Sequence, residues 1–441
     1  MKKGAQPTRA PRERALVVGH RVDRRDAQAH DLSEAFGLVE AAGAEVVGDG
    51  LLQWRETPSP ATLFGKGKVE EIRLEIEHLR PDLVVVDNDL TPAQARNLEK
   101  AWNKRIVDRS ELILDIFARR AKTQQARLQV ELAQNEYLAP RLRRMWTHLE
   151  RMEGAVGTRG PGETQLETDK RLIKRRIQDL KLELEAIEAR KQREVRTRGD
   201  LFTIGLVGYT NAGKSTLLNK LTNSEEFVAD MLFATLDTRT RQWRLSDGRT
   251  VLLSDTVGFL QRLPHHLVAS FHATLEEALH ADLLLHVVDG SHPHADQQMA
   301  AVEEVLASLG KDLSDAIIVF NKTDALDDPL KLQYLRQGRP QEVVHISART
   351  GAGLDALNAA VQRRLDRRSA LVDLYFPLRS GRIEAAVRKL CAPIEDDYDA
   401  ERSLRRLRVR LTEGALGNLM RSAGRELVVE TIAAASEPRL A

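Results

Sequence analysis

Several things that the sequence lacks limit what this chain can be. It has a single cysteine, Cys391, which excludes an internal disulfide and a cysteine-rich zinc site and favours a reducing compartment. No stretch approaches the roughly 20 apolar residues that span a bilayer, and the basic start, Met1–Arg14, has no apolar core of the signal-peptide kind. We therefore expect a cytoplasmic protein that binds no membrane.

A large excess of charge of one sign is missing too. The 67 Lys and Arg residues and the 65 Asp and Glu residues leave a formal net charge of +2, so any nucleic-acid surface must be a local patch. A hydrophobic content of 42% and a charged content of 30% exclude general disorder. Because 441 residues exceed what one hydrophobic core usually serves, we expect several domains.

Five segments differ in their residue patterns. Short apolar runs alternate with helical patterns in the first half and again, on a larger scale, further along, which is typical of α/β domains with mainly parallel sheets. In the first of these, Thr91 caps a predicted helix and Pro92 lies in its first turn. The predicted segments are a basic tail (1–13), an N-terminal α/β domain (14–109), a helical hairpin linker (110–199), a second α/β domain (200–368) and a C-terminal α+β domain (369–441).

The linker is predicted to contain two long helices. The first extends from Ser110 to about Met152, and the second, from about Glu163 to Arg198, carries apolar residues at coiled-coil spacing. The glycine-rich stretch 153–162 between them cannot sustain a helix. The apolar stripe can pair within the chain or between chains, and we expect a monomer.

One glycine-rich motif carries the first chemistry. Gly208-Tyr-Thr-Asn-Ala-Gly213-Lys214-Ser215 matches the phosphate-binding loop, G-x-x-x-x-G-K-[ST], between a predicted strand and a predicted helix. Its backbone N–H groups would face phosphates, Lys214 would reach the β- and γ-phosphates, and Ser215 would ligate Mg²⁺. The residues that we expect to contact nucleotide here are Gly208, Tyr209, Thr210, Asn211, Ala212, Gly213, Lys214, Ser215 and Thr216.

Two further segments complete the predicted phosphate and metal site. Asp255-Thr-Val-Gly258 follows the next predicted strand, so Asp255 would hold Mg²⁺ and the Gly258 amide would sense the γ-phosphate. Upstream, Phe233-Ala-Thr235-Leu-Asp-Thr238 offers a hydroxyl for the metal; we choose Thr235, and Thr238 remains an alternative. The expected catalytic residues are Lys214, Thr235 and Gly258, and Phe233 is expected to contact nucleotide.

The base is chosen by a fourth motif. Asn321-Lys322-Thr-Asp324 follows a buried predicted strand, and the Asp324 carboxylate can accept hydrogen bonds from the guanine N1–H and 2-amino groups, which adenine does not offer. After the last strand of this domain, Ser347 precedes Ala348, whose N–H would meet the guanine carbonyl. This order of motifs predicts a P-loop domain that binds GTP or GDP and hydrolyses GTP.

Phe259 directly follows Gly258, at a position that bears on hydrolysis. Signalling GTPases usually carry a glutamine after the glycine of this motif, where it orients the attacking water, and a phenyl ring cannot do so. We therefore expect slow intrinsic hydrolysis that a rearranged loop, a cation or a partner completes. A potassium ion held near the phosphates with the help of Asn211 is one hypothesis; capping of the turn by Asn211 is the other.

The chain resembles the HflX family of translation-factor-class GTPases. The resemblance rests on Gly160-Pro-Gly-Glu-Thr-Gln-Leu-Glu167, which is far more specific than the generic motifs, together with the Phe233-Ala-Thr-Leu-Asp237 segment and Asp255-Thr-Val-Gly-Phe259. It implies binding to the large ribosomal subunit and the 70S ribosome, ribosome-stimulated GTP hydrolysis, and separation of stalled or idle ribosomes into subunits. It also implies that the N-terminal domain and the hairpin contact ribosomal RNA near the peptidyl-transferase region.

Local patches are compatible with RNA contact. Several arginines surround Trp146 and the glycine-rich tip, where arginines can engage phosphates and the aromatic ring can stack on a base; a solvated helix face is the alternative. Gly65-Lys-Gly-Lys68 could hold a phosphate, although a turn with exposed lysines explains it better. A strand with one basic face is predicted at Arg406, Arg408 and Arg410. The arginines near Trp146 are Arg141, Arg143, Arg144, Arg151 and Arg159.

Other functions remain open at this stage. The chain could be a GTPase of RNA maturation, ribosome assembly or signalling, and ribosome-dependent stimulation of its turnover separates these from the first interpretation. It could also be a nucleotide-driven RNA-remodelling protein that uses ATP in its first domain. That alternative predicts ATP hydrolysis that survives loss of Lys214.

Overall fold

The structure is a computed structural model, which describes residues 12–22, 31–145, 161–197, 201–223, 239–256, 258–260, 280–328 and 330–434. The described residues form two compact units, the first ending at residue 184 and the second beginning at residue 185. Among the described helices, none combines the length and the apolar character needed to span a bilayer.

The first unit contains a wholly parallel sheet in the order β2-β1-β4-β5. β3 also pairs with β1, at the residues that follow those paired with β2. Thr91 caps α3 in a reciprocal capping box with Gln94, and Pro92 begins the helix, as predicted. The elements are β1 (Arg14–Arg21), α1 (Ser33–Ala41), β2 (Glu45–Val46), β3 (Leu51–Trp54), α2 (Lys66–Leu79), β4 (Leu83–Val86), α3 (Pro92–Trp102) and β5 (Arg105–Asp108).

The first linker helix is two helices rather than one. α4 (Arg109–Arg120) ends at Ala121, whose backbone is extended, and α5 (Gln124–Met145) begins after Thr123. The Thr123 hydroxyl accepts a hydrogen bond from the Ala126 N–H, which satisfies a donor at the start of α5. The expected continuous helix is therefore wrong at this point, because a hydroxyl cap stabilises a new helix start where the sequence has no glycine or proline.

Asp108 ties α5 to the sheet. It caps α4 by accepting from the Glu111 N–H, and it also accepts from the Leu90 N–H and from Arg141 of α5, at 2.8 Å to Nη2. The Tyr137 hydroxyl of α5 is a further hydrogen-bond partner. One buried carboxylate thus joins the end of β5, the loop before α3, and the helices α4 and α5.

The second linker helix, α6 (Pro161–Thr197), has bounds close to those predicted. Ion pairs connect it to α5 in the first unit, between Arg176 and Glu131 at 2.7 Å and between Lys181 and Glu136 at 2.9 Å. Leu180 is fully buried. The glycine-rich stretch before this helix lies outside the described residues up to residue 160.

The second unit begins with a six-stranded sheet in the order β11-β10-β9-β6-β8-β7. All neighbouring pairs are parallel except β7 with β8, which form an antiparallel hairpin at one edge. The elements are β6 (Thr203–Gly208), α7 (Lys214–Thr222), β7 (Arg239–Arg244), β8 (Thr250–Asp255), β9 (Leu283–Asp289), α8 (Ala295–Ser308), β10 (Ile317–Asn321), a 3₁₀ turn (Thr323–Ala325), α9 (Leu330–Arg336), β11 (Glu342–His345) and α10 (Leu354–Arg367).

The remaining sheet is antiparallel, in the order β13-β14-β12-β15, and its two helices share one core with it. β13 is an addition to the predicted pattern, since Glu395-Asp-Asp-Tyr-Asp399 has no strand-like composition and is stabilised by pairing with the arginines of β14. The elements are β12 (Ser369–Phe376), α11 (Gly381–Leu390), β13 (Glu395–Asp399), β14 (Leu404–Thr412), α12 (Glu413–Ala423), a 3₁₀ turn (Gly424–Glu426) and β15 (Val428–Ala433). The fold class is the predicted α/β class.

Candidate functional site

The phosphate loop lies where β6 ends and α7 begins, at the carboxyl edge of the sheet. Asn211, exposed at the loop tip, has a left-handed φ of 60°, and Gly213 has a φ of 94°. A Cβ on Gly213 would lie 2.2 Å from Asn321 Nδ2, so only glycine fits at this point. The predicted strand-to-helix context is present.

Lys214 is buried inside this loop. Its ammonium group donates to the carbonyl oxygens of Gly208 and Tyr209, at 2.9 and 2.8 Å. Burial lowers the pKa of Lys214 to about 8, and the carboxylate of Asp255 opposes that shift. A buried ammonium group with mostly neutral partners is stabilised by an anion, so the loop centre suits a phosphate.

Ser215 and Asp255 meet beside Lys214. The Ser215 hydroxyl donates to Asp255 Oδ2 at 2.6 Å, and Asp255 is completely buried. A hydroxyl and a carboxylate at this distance are hard oxygen donors that fit Mg²⁺, which takes few protein ligands and keeps waters and substrate phosphates. The part of the chain that the structure describes has no group of three His, Cys, Asp or Glu side chains placed to hold a metal ion.

Phe233 and Thr235, the expected nucleotide contact and third metal ligand, lie outside the described residues, as does the alternative Thr238. Thr216 is half-buried in the first turn of α7, two residues from Lys214. Thr256 follows Asp255 and donates its hydroxyl to the Leu206 carbonyl at 2.7 Å, which fixes the end of β8 against β6.

The segment after Asp255 lies directly on the phosphate loop. A Cβ on Gly258 would lie 2.8 Å from Thr210 Cα and 3.2 Å from Lys214 Nζ. The Thr210 N–H donates to the Phe259 carbonyl at 2.7 Å, and the Phe259 N–H donates to the Gly208 carbonyl at 3.2 Å. The backbone of Gly258 is therefore next to the ammonium group that would meet the γ-phosphate, and the phenyl ring of Phe259 is buried.

Asn321 joins three loops. Its side chain donates from Nδ2 to the Ala212 carbonyl at 2.8 Å and accepts at Oδ1 from the Ala348 N–H at 2.9 Å. The Ala348 N–H, which is predicted to meet the guanine carbonyl, thus lies at the base-recognition loops beside Asn321. The amide of Asn321 thereby fixes the spacing between the phosphate loop and the base-recognition loops.

Asp324 is exposed, as a residue that reads a base must be. A hydrogen bond from the Ser347 hydroxyl lowers the pKa of Asp324, and the charges of Arg349 and Lys322 act in the same direction. The carboxylate is therefore ionised at neutral pH and can accept two hydrogen bonds. Sequence reasoning did not identify Arg349 as a residue that acts on Asp324. Its position directly after Ser347 and Ala348 could have indicated it.

The residues singled out for RNA contact behave differently. Arg141 donates to the Leu90 carbonyl and to Asp108, and its guanidinium lies 3.4 Å from the centre of the Tyr137 ring, so it is committed within the chain. Lys68 pairs with Glu71 at 2.7 Å. The remaining arginine candidates and Trp146 lie outside the described side chains; they are Arg143, Arg144, Trp146, Arg151 and Arg159.

The basic face predicted in the C-terminal segment is largely neutralised. Arg406 pairs with Glu395 at 2.8 Å and with Asp397 at 3.0 Å, while Arg408 pairs with Asp373 at 2.9 Å. Ion pairs in place of bare arginines explain the pattern of β14 without a nucleic acid. This face offers phosphates no uniform positive surface.

A cavity of about 790 Å³ lies in the first unit between β5, α3, α4 and α5, and shares no residue with the nucleotide motifs. Burial raises the pKa of Glu99, Asp108 and Glu111, which line it together with arginines such as Arg105 and Arg141. Because acidic and basic side chains both line this cavity, its charge does not indicate one class of ligand. The polar residues of the nucleotide motifs in the second unit therefore indicate the functional site better than the size of this cavity does.

Comparisons with known proteins agree with this geometry. Three family profiles match consecutive parts of the chain: "GTP-binding GTPase N-terminal" at residues 29–118, "GTP-binding GTPase Middle Region" at 120–198 and "50S ribosome-binding GTPase" at 203–322. The chain is 42% identical over 402 residues to GTPase HflX of Escherichia coli strain K12, covering 90% of this chain and 93% of that protein.

Two further relatives extend the comparison. GTPase HflX of Caldanaerobacter subterraneus subsp. tengcongensis is 43% identical over 390 residues, covering 88% of this chain and 89% of its own. GTPase HflX of Magnetococcus marinus is 44% identical over 409 residues, covering 91% and 93%. The similarity thus extends over nearly all of each chain, well beyond the nucleotide motifs.

Proposed function

The chain belongs to the HflX family of GTPases, and from that premise we propose that it is a ribosome-directed switch that separates stalled or idle 70S ribosomes into subunits. As a member it binds GTP and GDP and hydrolyses GTP. The proposed partners are the large subunit and its ribosomal RNA. A family profile described as a 50S ribosome-binding GTPase, matched at residues 203–322, supports this partner.

The observation that carries the proposal is the convergence of four polar elements at one sheet edge. Lys214 would bind the β- and γ-phosphates, and Gly258, whose backbone adjoins Lys214, would sense the γ-phosphate. Ser215 and Asp255, with Thr235, would hold Mg²⁺, which when bound neutralises phosphate charge. Asp324 would select guanine.

Hydrolysis is proposed to depend on the ribosome. Phe259 has a buried ring and a backbone bonded to the phosphate loop, so its side chain cannot orient a water molecule. A rearranged loop, a cation or a partner must therefore supply that group, and we propose that the ribosome positions it. A potassium ion near Asn211 is a separate proposal, and equal ribosome-stimulated turnover in sodium and potassium would refute it.

The RNA contact is proposed for the tip of the linker. Arg141 is engaged within the first unit, which leaves the four arginines at 143, 144, 151 and 159, with Trp146, as candidates. Arginine can bind RNA phosphates, and an unpaired base can stack on an aromatic ring. Replacing Trp146 by alanine is expected to weaken binding to large subunits without changing GDP affinity.

Sedimentation tests the function directly. Purified 70S ribosomes are mixed with the protein in GTP, a non-hydrolysable GTP analogue or GDP, with Lys214→Ala protein as the control. Separation into subunits with GTP and the analogue, and with neither GDP nor the variant, is the expected result. Binding to large subunits without separation would instead indicate a role in assembly, and GTP turnover unchanged by large subunits would overturn the ribosomal proposal.

A further inference from the structure

We infer that Asp289 is a positioning residue for guanine-nucleotide binding: its carboxylate holds the ammonium group of Lys322 and so fixes the side chain of Lys322 beside the base. The inference rests on the proposed assignment of Asn321–Asp324 to guanine. Asp289 belongs to none of the nucleotide motifs and stands 33 positions before Lys322.

The placement of Asp289 follows from the sheet. Asp289 ends β9 and lies opposite Asn321, the last residue of β10, in their parallel register. Its Oδ2 is 2.7 Å from Lys322 Nζ. Its Oδ1 accepts from the N–H and the hydroxyl of Ser291, at 3.1 and 2.6 Å. Both oxygens have partners, so the carboxylate cannot rotate freely and its charge is fixed in direction.

The other end of the Lys322 side chain is fixed by the backbone. Lys322 has a φ of 61°, in the left-handed region, and the Gly290 N–H donates to the carbonyl of the preceding Asn321 at 3.0 Å. The ion pair then restrains the far end of a side chain that would otherwise lose rotamer entropy when the nucleotide orders it. The methylene stem of Lys322 is thus held in place before any base arrives.

A competing cation is accounted for. Lys331, from α9, lies beside the same loop, but its ammonium group donates to the carbonyls of Ser291 and His292, at 3.0 and 2.6 Å. Lys331 therefore stabilises the loop that carries Ser291 and leaves the Asp289 carboxylate to Lys322. Asp289 and Lys322 therefore form an ion pair of their own, and Lys331 holds the neighbouring loop through backbone carbonyls.

This geometry separates two tasks. Asp324 reads hydrogen-bond donors on the edge of guanine, whereas the stem of Lys322 offers an apolar surface that any purine can cover. Because Asp289 neutralises the ammonium group, the contribution of Lys322 is independent of which groups the base edge carries. Asp289 should therefore affect nucleotide affinity and leave the preference among purines unchanged.

The test uses fluorescent GDP and fluorescent IDP, which lacks the 2-amino group, with the full chain. Asp289→Asn keeps an oxygen for Ser291 but loses the charge, and it is expected to weaken GDP binding about fivefold through faster dissociation. The GDP-to-IDP affinity ratio should stay within about twofold of wild type. In a Lys322→Met background, the same change should weaken GDP binding by less than about twofold.

Two controls keep the result specific. Glu303→Gln breaks an ion pair of the same domain, with Arg339 at 3.3 Å, and should leave GDP affinity within about twofold. Asp289→Glu retains the charge and should recover most of the affinity; it also serves if Asp289→Asn fails to fold. A full effect of Asp289→Asn without Lys322, or a changed GDP-to-IDP ratio, would overturn the inference.

The failures are distinguishable. If Lys322→Ala, which removes the stem, weakens GDP binding and Asp289→Asn does not, the inference alone is wrong. If Asp324→Ala leaves GDP binding intact, the assignment of the guanine motif fails, and with it the proposed site.

Discussion

The wholly parallel sheet of the first unit and the mainly parallel sheet of the second use their carboxyl edges in opposite ways. In the first unit, Arg21 pairs with Asp87, and Arg109 pairs with both Asp87 and Glu34, with three of the four residues almost fully buried. In the second unit, the same edge presents a glycine-bearing loop, the exposed Asn211 and the exposed Asp324.

The difference shows that position at a strand end is not sufficient for a binding site. Open α/β sheets bind ligands at this edge, but the charges of the first sheet already satisfy one another and hold β1, β4 and α4 together. In the second sheet, Asn321 uses its amide to space the loops, and Asp324, which is suited to guanine, is exposed. We call the carboxyl edge of the first sheet, where the charges pair with one another, the closed edge, and that of the second sheet, where Asn211 and Asp324 are exposed, the open edge. The closed edge stabilises the fold, and the open edge is the proposed nucleotide site.

The largest effect is expected from a change that tests whether nucleotide is hydrolysed only at the carboxyl edge of the second sheet. Lys214→Ala should lower GTP turnover about 10³-fold, because it removes the cation at the loop centre, and ATP turnover should show no component that survives. Phosphate release with each nucleotide measures this.

Lys68→Ala, at the glycine-lysine stretch of the first unit, is the matched control and should leave turnover unchanged. ATP hydrolysis that persists in the Lys214 variant would break the comparison, since the first edge would then be an active site.

The closed edge should respond in stability rather than in binding. Asp87→Ala leaves the guanidinium groups of Arg21 and Arg109 buried without their shared carboxylate, which is expected to cost about 3 kcal/mol. Hydrogen exchange of the β1 and β4 amides should accelerate, while those of β6 and β9 serve as the internal reference. A loss of GDP affinity without faster exchange in β1 and β4 would contradict this assignment.

Changing the open edge should alter base choice without unfolding the protein. Asp324→Asn replaces an acceptor of two hydrogen bonds by a group that presents a donor, and GDP affinity is expected to fall about 100-fold, or 2.7 kcal/mol. Competition between GDP and the xanthine nucleotide XDP measures the preference. An unchanged GDP affinity would mean that another residue selects the base.

The smallest expected effect concerns the interior of the second sheet. His286 of β9 is buried, its Nε2 has no hydrogen-bond partner among the described residues, and burial lowers its pKa to about 3. The neutral form is therefore the folded form. Stability is complete above the unfolded pKa of 6.5 and declines as the pH falls toward 3, by about 2 kcal/mol at pH 5.

Unfolding free energies of the wild type and of His286→Leu at pH 7 and pH 5 measure this contribution. The variant should lose less stability over that interval. Equal losses in both proteins would show that other groups govern the acid sensitivity.

The open edge was easier to predict than the closed one. The phosphate loop, Asp255 and Asp324 stand out because each motif is short and its chemistry is local. The pairs Asp108–Arg141 and Asp289–Lys322 join residues about 33 positions apart, and no spacing rule marks them. For the same reason, Arg141 could be taken for an RNA contact.

Two charged strands were also missed. β7 buries only Trp243, and β13 is almost wholly acidic, so neither shows the alternation that predicts a strand. Each lies at a sheet edge and gains its structure from a neighbour, β8 or β14. The helix break before Thr123 is similar, because one hydroxyl decides it.

The anchoring of α5 by Asp108 bears on how this protein can be divided into parts. A fragment that ends at Arg109, where the helical segment begins, would keep the Asp108 carboxylate and lose both Tyr137 and Arg141, as well as the Glu111 N–H that it caps. A fragment that extends through Met145 keeps all of these partners. Experiments that express or exchange the first unit should therefore keep the sheet, α4 and α5 together in one fragment.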